Sequence, residues 1–432
     1  MEHELEADVA VLGGGCAGLW LVHDLAKRGY KPVLLEHGPL AQYASQANQG
    51  WLHSGALYAV FESEEQLPTS HTTPELRVTA RECGRGYVRL RRFARRHCKS
   101  ALDHRSGCMF LYDDGDKAER ARLALRRYGL EPQVYTSNLE LLEPILAESP
   151  AHTALITRDI PFDAGRILKA VARRAAAMGA HFIDSREPLE RFQFLRDGAS
   201  WIVKNKLLTI RASVVVCTTG ALVLKQQEML DFGLPNAALQ KCEVAVFDTR
   251  ICNRLLMFRM KQARDLCIVP FRGGTTLNLN ATDKSTTNAS DTTPDTACLE
   301  MMAEAISICV PAIEKWRVPI RSHVYVCQKV TNSVLTSRPI HEYGKRHFFW
   351  TSARDKHGVY YAYPGKFTLS ANCSSALASH ILASGLLRRT DAKRRSSTPH
   401  KPLLSPSPYH DEPTHLLVKD GEGGLRFTRR IV

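Results

Sequence analysis

The chain has 432 residues, 44% of them hydrophobic and 24% charged, and its 58 lysines and arginines outnumber 44 aspartates and glutamates for a formal charge of +14. At about 150 residues per domain this length predicts two or three lobes with sizeable cores, which excludes both a small stapled module and wholesale disorder. The positive balance attracts anions of every kind without choosing among them.

Twelve cysteines are scattered without a CxxC pair or a repeated spacing, so no metal centre is expected and the thiols fit a reducing compartment. The first residues include Glu2, Glu4, Glu6 and Asp8, the reverse of a basic leader, and the expected location is cytoplasmic. No apolar run approaches the roughly 18 residues that cross a bilayer, so membrane contact is expected to be peripheral at most.

Residues 8–12 read as a short buried strand, 16–28 as a helix and 31–36 as a second strand closed by Gly38, which together make a βαβ opening. An arginine-rich helix is predicted near 75–96, a strand at 108–112 and a helix at 117–128. Small apolar residues at helical spacing predict a helix over 163–178, stopped by Gly179, and strands follow at 181–183 and 212–217. Between 243 and 325 the pattern changes to short alternating or apolar runs around one helix, 297–310, which points to an antiparallel sheet. Strands at 348–350 and 359–362 and a helix over 367–387 resume the earlier style. Between Arg388 and Lys401 six lysines and arginines face one aspartate in a stretch rich in serine and proline that cannot bury enough apolar area to order itself.

Gly13-Gly14-Gly15-Cys16-Ala17-Gly18 contains GxGxxG between the first strand and the first helix, and Glu36 closes the second strand. Gly13 suits the tight turn, Gly15 the approach of a diphosphate to backbone, and Gly18 close helix–strand packing, while the helix start supplies amides and a positive dipole end. Glu36 is placed to accept hydrogen bonds from an adenosine ribose. Glycine-rich turns also serve packing alone, but here strand, helix, second strand and acid occur in order, and a bound dinucleotide is expected.

The motif does not separate FAD from NAD. Ser45-Gln46-Ala47-Asn48-Gln49-Gly50-Trp51-Leu52-His53-Ser54-Gly55-Ala56-Leu57-Tyr58-Ala59 resembles the S-x-x-N-x-G-x-[LI]-H-x-G segment of the FAD-dependent oxidoreductases of the D-amino-acid oxidase-like superfamily. Within that group it is most similar to the catalytic subunit of the anaerobic glycerol-3-phosphate dehydrogenases. Val214-Val215-Val216-Cys217-Thr218-Thr219-Gly220 resembles the family's strand ending in [AT]-[AT]-G, and Gly358-Val359-Tyr360-Tyr361-Ala362-Tyr363-Pro364-Gly365-Lys366-Phe367-Thr368 its C-terminal G-x-x-x-x-x-G-G-K-[FLWY]-T element, with Pro364 in place of one glycine. Val334-Leu335-Thr336-Ser337-Arg338-Pro339-Ile340 is similar to the segment whose arginine holds an anionic substrate group.

The resemblance implies an α/β fold, a Rossmann-like FAD-binding domain with an inserted antiparallel substrate domain. The expected division is FAD-binding parts at 1–95, 151–235 and 336–390, a helical cap segment at 96–150, a mainly antiparallel substrate domain at 236–335, and a basic, partly disordered tail at 391–432 in which 415–418 and 425–427 could pair as a hairpin. FAD contacts are expected from Gly13, Gly15, Gly18, Glu36, Ser45, Asn48, Gln49, Gly50, Leu52, His53, Thr219, Gly220, Gly365, Lys366, Phe367 and Thr368. The catalytic candidates are His53, as base or flavin hydrogen-bond donor, Arg338 and Arg354 as anion anchors, and Tyr360 as a wall residue, although a tyrosine there also suits core packing.

The implied chemistry removes a hydride from a CH–OH or CH–NH group of a small anionic substrate to flavin N5, with oxygen, a quinone or a carrier protein as the final acceptor. Leu57 and Ala47 stand where the glycerol-phosphate enzymes carry arginine, which leaves an L-2-hydroxyglutarate-type or amino-acid oxidase as the alternative. No cysteine-bearing C-terminal extension is read, so no iron–sulfur relay is expected. A nucleic-acid-associated flavoprotein is the remaining alternative, suggested by the charge, by Arg85 to Arg96 and by Arg429-Arg430. Such runs are usually solvated faces and no aromatic-interleaved RNA motif accompanies them, so no nucleic-acid partner is expected.

Overall fold

The structure is a computed structural model that describes residues 3–45, 47–63, 73–103, 107–185, 187–188, 191–222, 237–261, 263–271, 273–279, 284–286, 291–315, 319–332, 349–352, 357–387, 414–419 and 424–429. β1 (His3–Leu12), α1 (Cys16–Lys27) and β2 (Pro32–Glu36) form the βαβ opening. After them come β3 (Trp51–Leu52), α2 (Ala56–Glu62), α3 (Thr73–His97), β4 (Cys108–Tyr112), α4 (Gly115–Arg127), β5 (Gln133–Tyr135), the single-turn α5 (Leu139–Leu142), β6 (Thr153–Thr157), β7 (Ile160–Pro161), α6 (Ala164–Ala177), β8 (His181–Asp184), β9 (Gln193–Asp197), β10 (Ser200–Lys204) and β11 (Leu208–Cys217). The second half holds β12 (Ala237–Phe247), β13 (Leu255–Phe258), β14 (Leu266–Phe271), β15 (Gly274–Leu279), β16 (Lys284–Thr286), α7 (Thr296–Cys309), β17 (Ile320–Asn332), β18 (Phe349–Ser352), β19 (Val359–Tyr363), α8 (Phe367–Ala383), β20 (His415–Lys419) and β21 (Leu425–Arg429).

The first sheet runs β18-β19-β11-β1-β2-β8, with β19, β11, β1, β2 and β8 parallel. β1 is central, so both of its faces must be apolar. Val9 and Val11 pack into a core with α1, α6 and α8, while Ala10 and Leu12 join Trp201 and Val203 on the other face. Leu19, Trp20, Leu21, Val22 and Leu25 of α1 are all buried, and Ser374 of α8 donates to the Ala17 carbonyl at 2.8 Å, fastening the two helices together.

The second sheet runs β21-β20-β17-β12-β15-β14-β13-β4-β6-β5. α7 covers one face; α2, α3 and α4 cover the other. Here the structure departs from the expected division. Residues 96–150, read as a helical cap, supply β4 and β5, and β4 pairs in parallel with β13 through Leu255 opposite Cys108. Local periodicity cannot register a partner so far along the chain. Residues 415–419 and 425–429, inside the expected tail, form a hairpin on the edge of β17, and Leu417 and Leu425 are buried against the α7 side of that sheet. Among the described residues no helix is long and apolar enough to cross a membrane, no group of histidine, cysteine, aspartate or glutamate could hold a metal, and no disulfide forms.

Candidate active site

The chain leaves β1 at Leu12, turns through Gly13-Gly14-Gly15 and enters α1. Gly13 has φ +104°, and a Cβ there would stand 2.8 Å from the Thr218 carbonyl carbon and oxygen. A Cβ at Gly18 would overlap the Gly13 carbonyl oxygen. Thr218 locks this contact: its Oγ1 donates to the Gly13 carbonyl at 2.7 Å and its N–H to the Leu12 carbonyl at 2.8 Å. The carboxyl ends of β1 and β11 therefore meet where the crossover through α1 leads to β2 on one side while β11 lies on the other. That is the switch point at which open parallel sheets form a ligand crevice.

Ser45 Oγ accepts the Cys16 N–H at 2.8 Å, at the first turn of α1. Asn48 Nδ2 donates to the Ser45 carbonyl at 2.8 Å and Asn48 Oδ1 accepts the Gly50 N–H at 2.8 Å, so Asn48 ties Ser45 to Gly50. The Gln49 carbonyl takes a 2.8 Å hydrogen bond from Thr276 of β15, which ties the chain at Gln49 to the second sheet. Glu36 accepts the Gly14 N–H at 2.5 Å and the His37 N–H at 2.7 Å. Burial pushes its carboxyl up to about 7, with the nearby Asp184 charge adding, against those two amides, which favour the charged form.

His53 is 4% exposed, in the turn from β3 to α2. Its N–H donates to Oγ1 of the buried Thr368 in the first turn of α8, at 3.2 Å and 315 residues away. Its ring lies 4.3 Å from that of Trp51 and 6.4 Å from that of Tyr58, over which the Lys366 ammonium sits at 5.5 Å. The Asp159 carboxylate, fully buried, accepts the Ser54 N–H and, at 3.3 Å, the Thr157 hydroxyl. Burial pushes Asp159 up to about 6, against hydrogen bonds from Ser54, Thr157 and Trp51 that favour its charge.

Two groups of the anticipated residues come together. Gly13, Gly15, Gly18, Glu36 and Ser45 surround the start of α1, with Asn48, Gln49 and Gly50 linked to it through Ser45, Thr219 Cα 2.9 Å from where a Gly13 Cβ would stand and Gly220 next along the chain. Leu52 and His53 meet Thr368, while Gly365 and Lys366 lead into α8 and the Phe367 ring lies 4.7 Å from that of Phe162. Phe162 in turn donates its N–H to the Gly50 carbonyl at 2.8 Å, which bridges the two groups. Tyr360 is elsewhere: it packs in the α1–α8 layer, 5.6 Å from the His380 ring and 6.5 Å from Trp350, because alternation along β19 sends it to the helix side of the sheet. Arg338 and Arg354 lie outside the described residues. Thr218, Trp51 and Asp159 were not anticipated. The one local sign of Asp159 is a charged pair, Arg158-Asp159, interrupting an apolar run before Pro161.

A dinucleotide fits this donor set. A side chain at Gly13 or Gly18 would fill space that backbone occupies, the helix start offers amides and a positive end to a diphosphate, and the Glu36 carboxylate stands at the end of β2 as a hydroxyl acceptor. A family model described as FAD dependent oxidoreductase matches residues 8–372. Over 79 residues, 18% of this chain, the sequence is 40% identical to the A subunit of the anaerobic glycerol-3-phosphate dehydrogenase of Haemophilus influenzae, of which the match covers 14%. The A1 subunit of the corresponding enzyme of Haloferax volcanii is 27% identical over 331 residues, covering 71% of this chain and 51% of that one, so the chain spans no more than about half of either relative. The crystal structure of glycine oxidase from Geobacillus kaustophilus has the same fold, with a TM-score of 0.65 and 19% identity over 90% of this chain and 100% of that one.

Proposed function

The chain belongs to the FAD-dependent oxidoreductase family and is an FAD-dependent enzyme, and on that premise we propose that it oxidises a CH–OH or CH–NH group of a small anionic metabolite. The glycine turn and the start of α1 would hold the diphosphate, Glu36 the ribose, and the 45–53 and 365–368 segments the ring. When bound, FAD supplies a two-electron oxidant that accepts hydride at N5.

His53 is assigned the proton from the substrate hydroxyl or amine. Its backbone is fixed by Thr368 and its ring packs against Trp51, so the imidazole is oriented before substrate arrives. Asp159 holds the Ser54 amide and with it the turn that carries His53. Lys366 and the amino-terminal end of α8 place positive charge beside this cluster, where it favours an anionic substrate group and negative charge on a reduced ring. Arg338 and Arg354 are the proposed further anchors. The observation that carries this reading is the hydrogen bond from His53 N–H to Thr368 Oγ1, which unites two segments that both resemble flavin-contacting elements.

Leu57 speaks against a phosphate as the substrate's anionic group. It is 3% exposed in an apolar cluster with Phe110, Met257 and Leu369, where the glycerol-phosphate enzymes carry arginine. The reading is tested by anaerobic mixing of the flavin-loaded protein with a panel of 2-hydroxy acids, amino acids and glycerol 3-phosphate. Bleaching by a hydroxy or amino acid is expected. A flavin that dithionite reduces and no panel member bleaches would overturn the reading.

A further inference from the structure

Along α3, away from the glycine turn, runs a groove of about 1490 Å³ lined by eleven lysines and arginines and only two carboxylates, Asp24 and Glu62. Ten of the eleven cations are arginines. Six of them, Arg77, Arg81, Arg85, Arg89, Arg92 and Arg96, recur on α3 at steps of three or four residues and so form one stripe about 28 Å long at 1.5 Å per residue. A helix face that merely meets solvent does not gather charge from its neighbours. This one does: Arg28 just past α1, Arg127 of α4, Arg158 of the turn between β6 and β7 and Arg174 of α6 converge on the same groove.

The two carboxylates are already engaged. Asp24 takes Arg89 through both oxygens at 2.6 and 2.7 Å, and Glu62 takes Arg77 at 2.8 Å. Arg81, Arg92, Arg96 and Arg174 are exposed and, among the described residues, have no carboxylate within ion-pair distance. Uncompensated guanidinium groups on a concave surface are poised for bidentate pairing with anions on another molecule.

The shape and lining select the kind of anion. The groove exceeds the roughly 300–1,000 Å³ of a metabolite pocket, and its concavity does not suit a flat lipid surface. Bases of a single-stranded nucleic acid would need stacking platforms, yet Trp20 and Phe93 are buried edge-on against each other and the Tyr128 hydroxyl is held by Glu62. Val88 is 49% exposed inside the groove and offers an apolar contact of the kind protein interfaces use. We propose that this groove is the docking surface for an acidic protein, which lays a carboxylate-rich segment along α3. Its lining reaches Ser54, the buried neighbour of His53. The docking surface does not depend on the substrate reading above.

The test uses the whole flavin-loaded chain and fluorescent poly-L-glutamate, read by anisotropy at rising salt. Binding is expected, weakening steeply with salt. Arg81→Gln/Arg92→Gln/Arg96→Gln should lose about tenfold in affinity, with Arg92→Gln alone intermediate. Lys204→Gln/Lys206→Gln/Arg211→Gln, which removes the same charge from the β10–β11 hairpin, should bind as the parent does, and flavin absorbance retained in every variant reports an intact fold. Absent binding at low salt, equal loss in both triple variants, or tighter binding of oligo-dT or of phosphatidylserine vesicles than of poly-L-glutamate would each overturn the proposal.

Discussion

The turn at Gly13 and the groove along α3 both suit anions, and they are made of opposite materials. The turn has no side chain to offer at Gly13, Gly14, Gly15 or Gly18; it works through backbone amides, and Thr218 closes against it so tightly that a methyl group at Gly13 meets a carbonyl. The groove works through long exposed side chains contributed by several helices, four of them without a carboxylate partner among the described residues. Recognition by packed backbone is all-or-none and little affected by salt. Recognition by exposed guanidinium groups is graded, roughly additive and screened within about 8–10 Å at physiological salt.

The contrast is sharpest at Gly13. Gly13→Val puts a branched side chain at φ +104° and against the Thr218 backbone, so the variant should emerge from gel filtration without flavin, whereas a single arginine lost from the groove should leave flavin content unchanged. Full flavin in Gly13→Val would show that close backbone approach is not what grips the coenzyme. Next in size is His53→Ala, expected to retain flavin and to slow substrate-dependent bleaching about 10²- to 10⁴-fold, measured by anaerobic stopped flow. An unchanged rate would remove His53 from the chemistry.

The pH dependence of coenzyme binding follows from Glu36. With its carboxyl raised to about 7, the folded apo protein carries a proton there at pH 5–6. Ribose hydroxyls donate to the ionised form, so binding expels that proton, and affinity should tighten, by at most tenfold per pH unit, as pH rises towards about 7 and then level off. The same raised value means that Glu36 weakens the fold increasingly from the ordinary glutamate range up to about 7, because the unfolded chain ionises first. Glu36→Gln should flatten both profiles in titrations between pH 5 and 8. Smallest is Thr368→Val, which leaves the buried His53 N–H without its acceptor and should cost roughly 1–3 kcal/mol, read as a fall in melting temperature.

The glycine turn was legible in the sequence because everything it needs is local: the DVAVL run, GxGxxG and Glu36 lie within some thirty residues, each with a periodicity or a steric reason attached. The assembly of the second sheet was not. Whether residues 108–112 belong to a cap or to that sheet depends on β13, a partner about 147 residues on, and neither strand's alternation names the other. Asp159 matters because it reaches Ser54 across 105 residues. The arginines of α3 read as a solvated face along the chain, and only folding brings Arg28, Arg127, Arg158 and Arg174 beside them. Tyr360 shows the reverse error, since a residue beside a motif on a strand still faces whichever layer its parity dictates.

The central claim is that the turn between β1 and α1 grips the diphosphate of FAD through its backbone. The most direct test strips the purified protein of coenzyme with acid or chaotrope, refolds it with FAD, and measures bound flavin per chain after gel filtration, beside Gly13→Val treated in the same way. One FAD per chain in the parent and none in the variant is the predicted result; a colourless parent, or a variant as yellow as the parent, would contradict it.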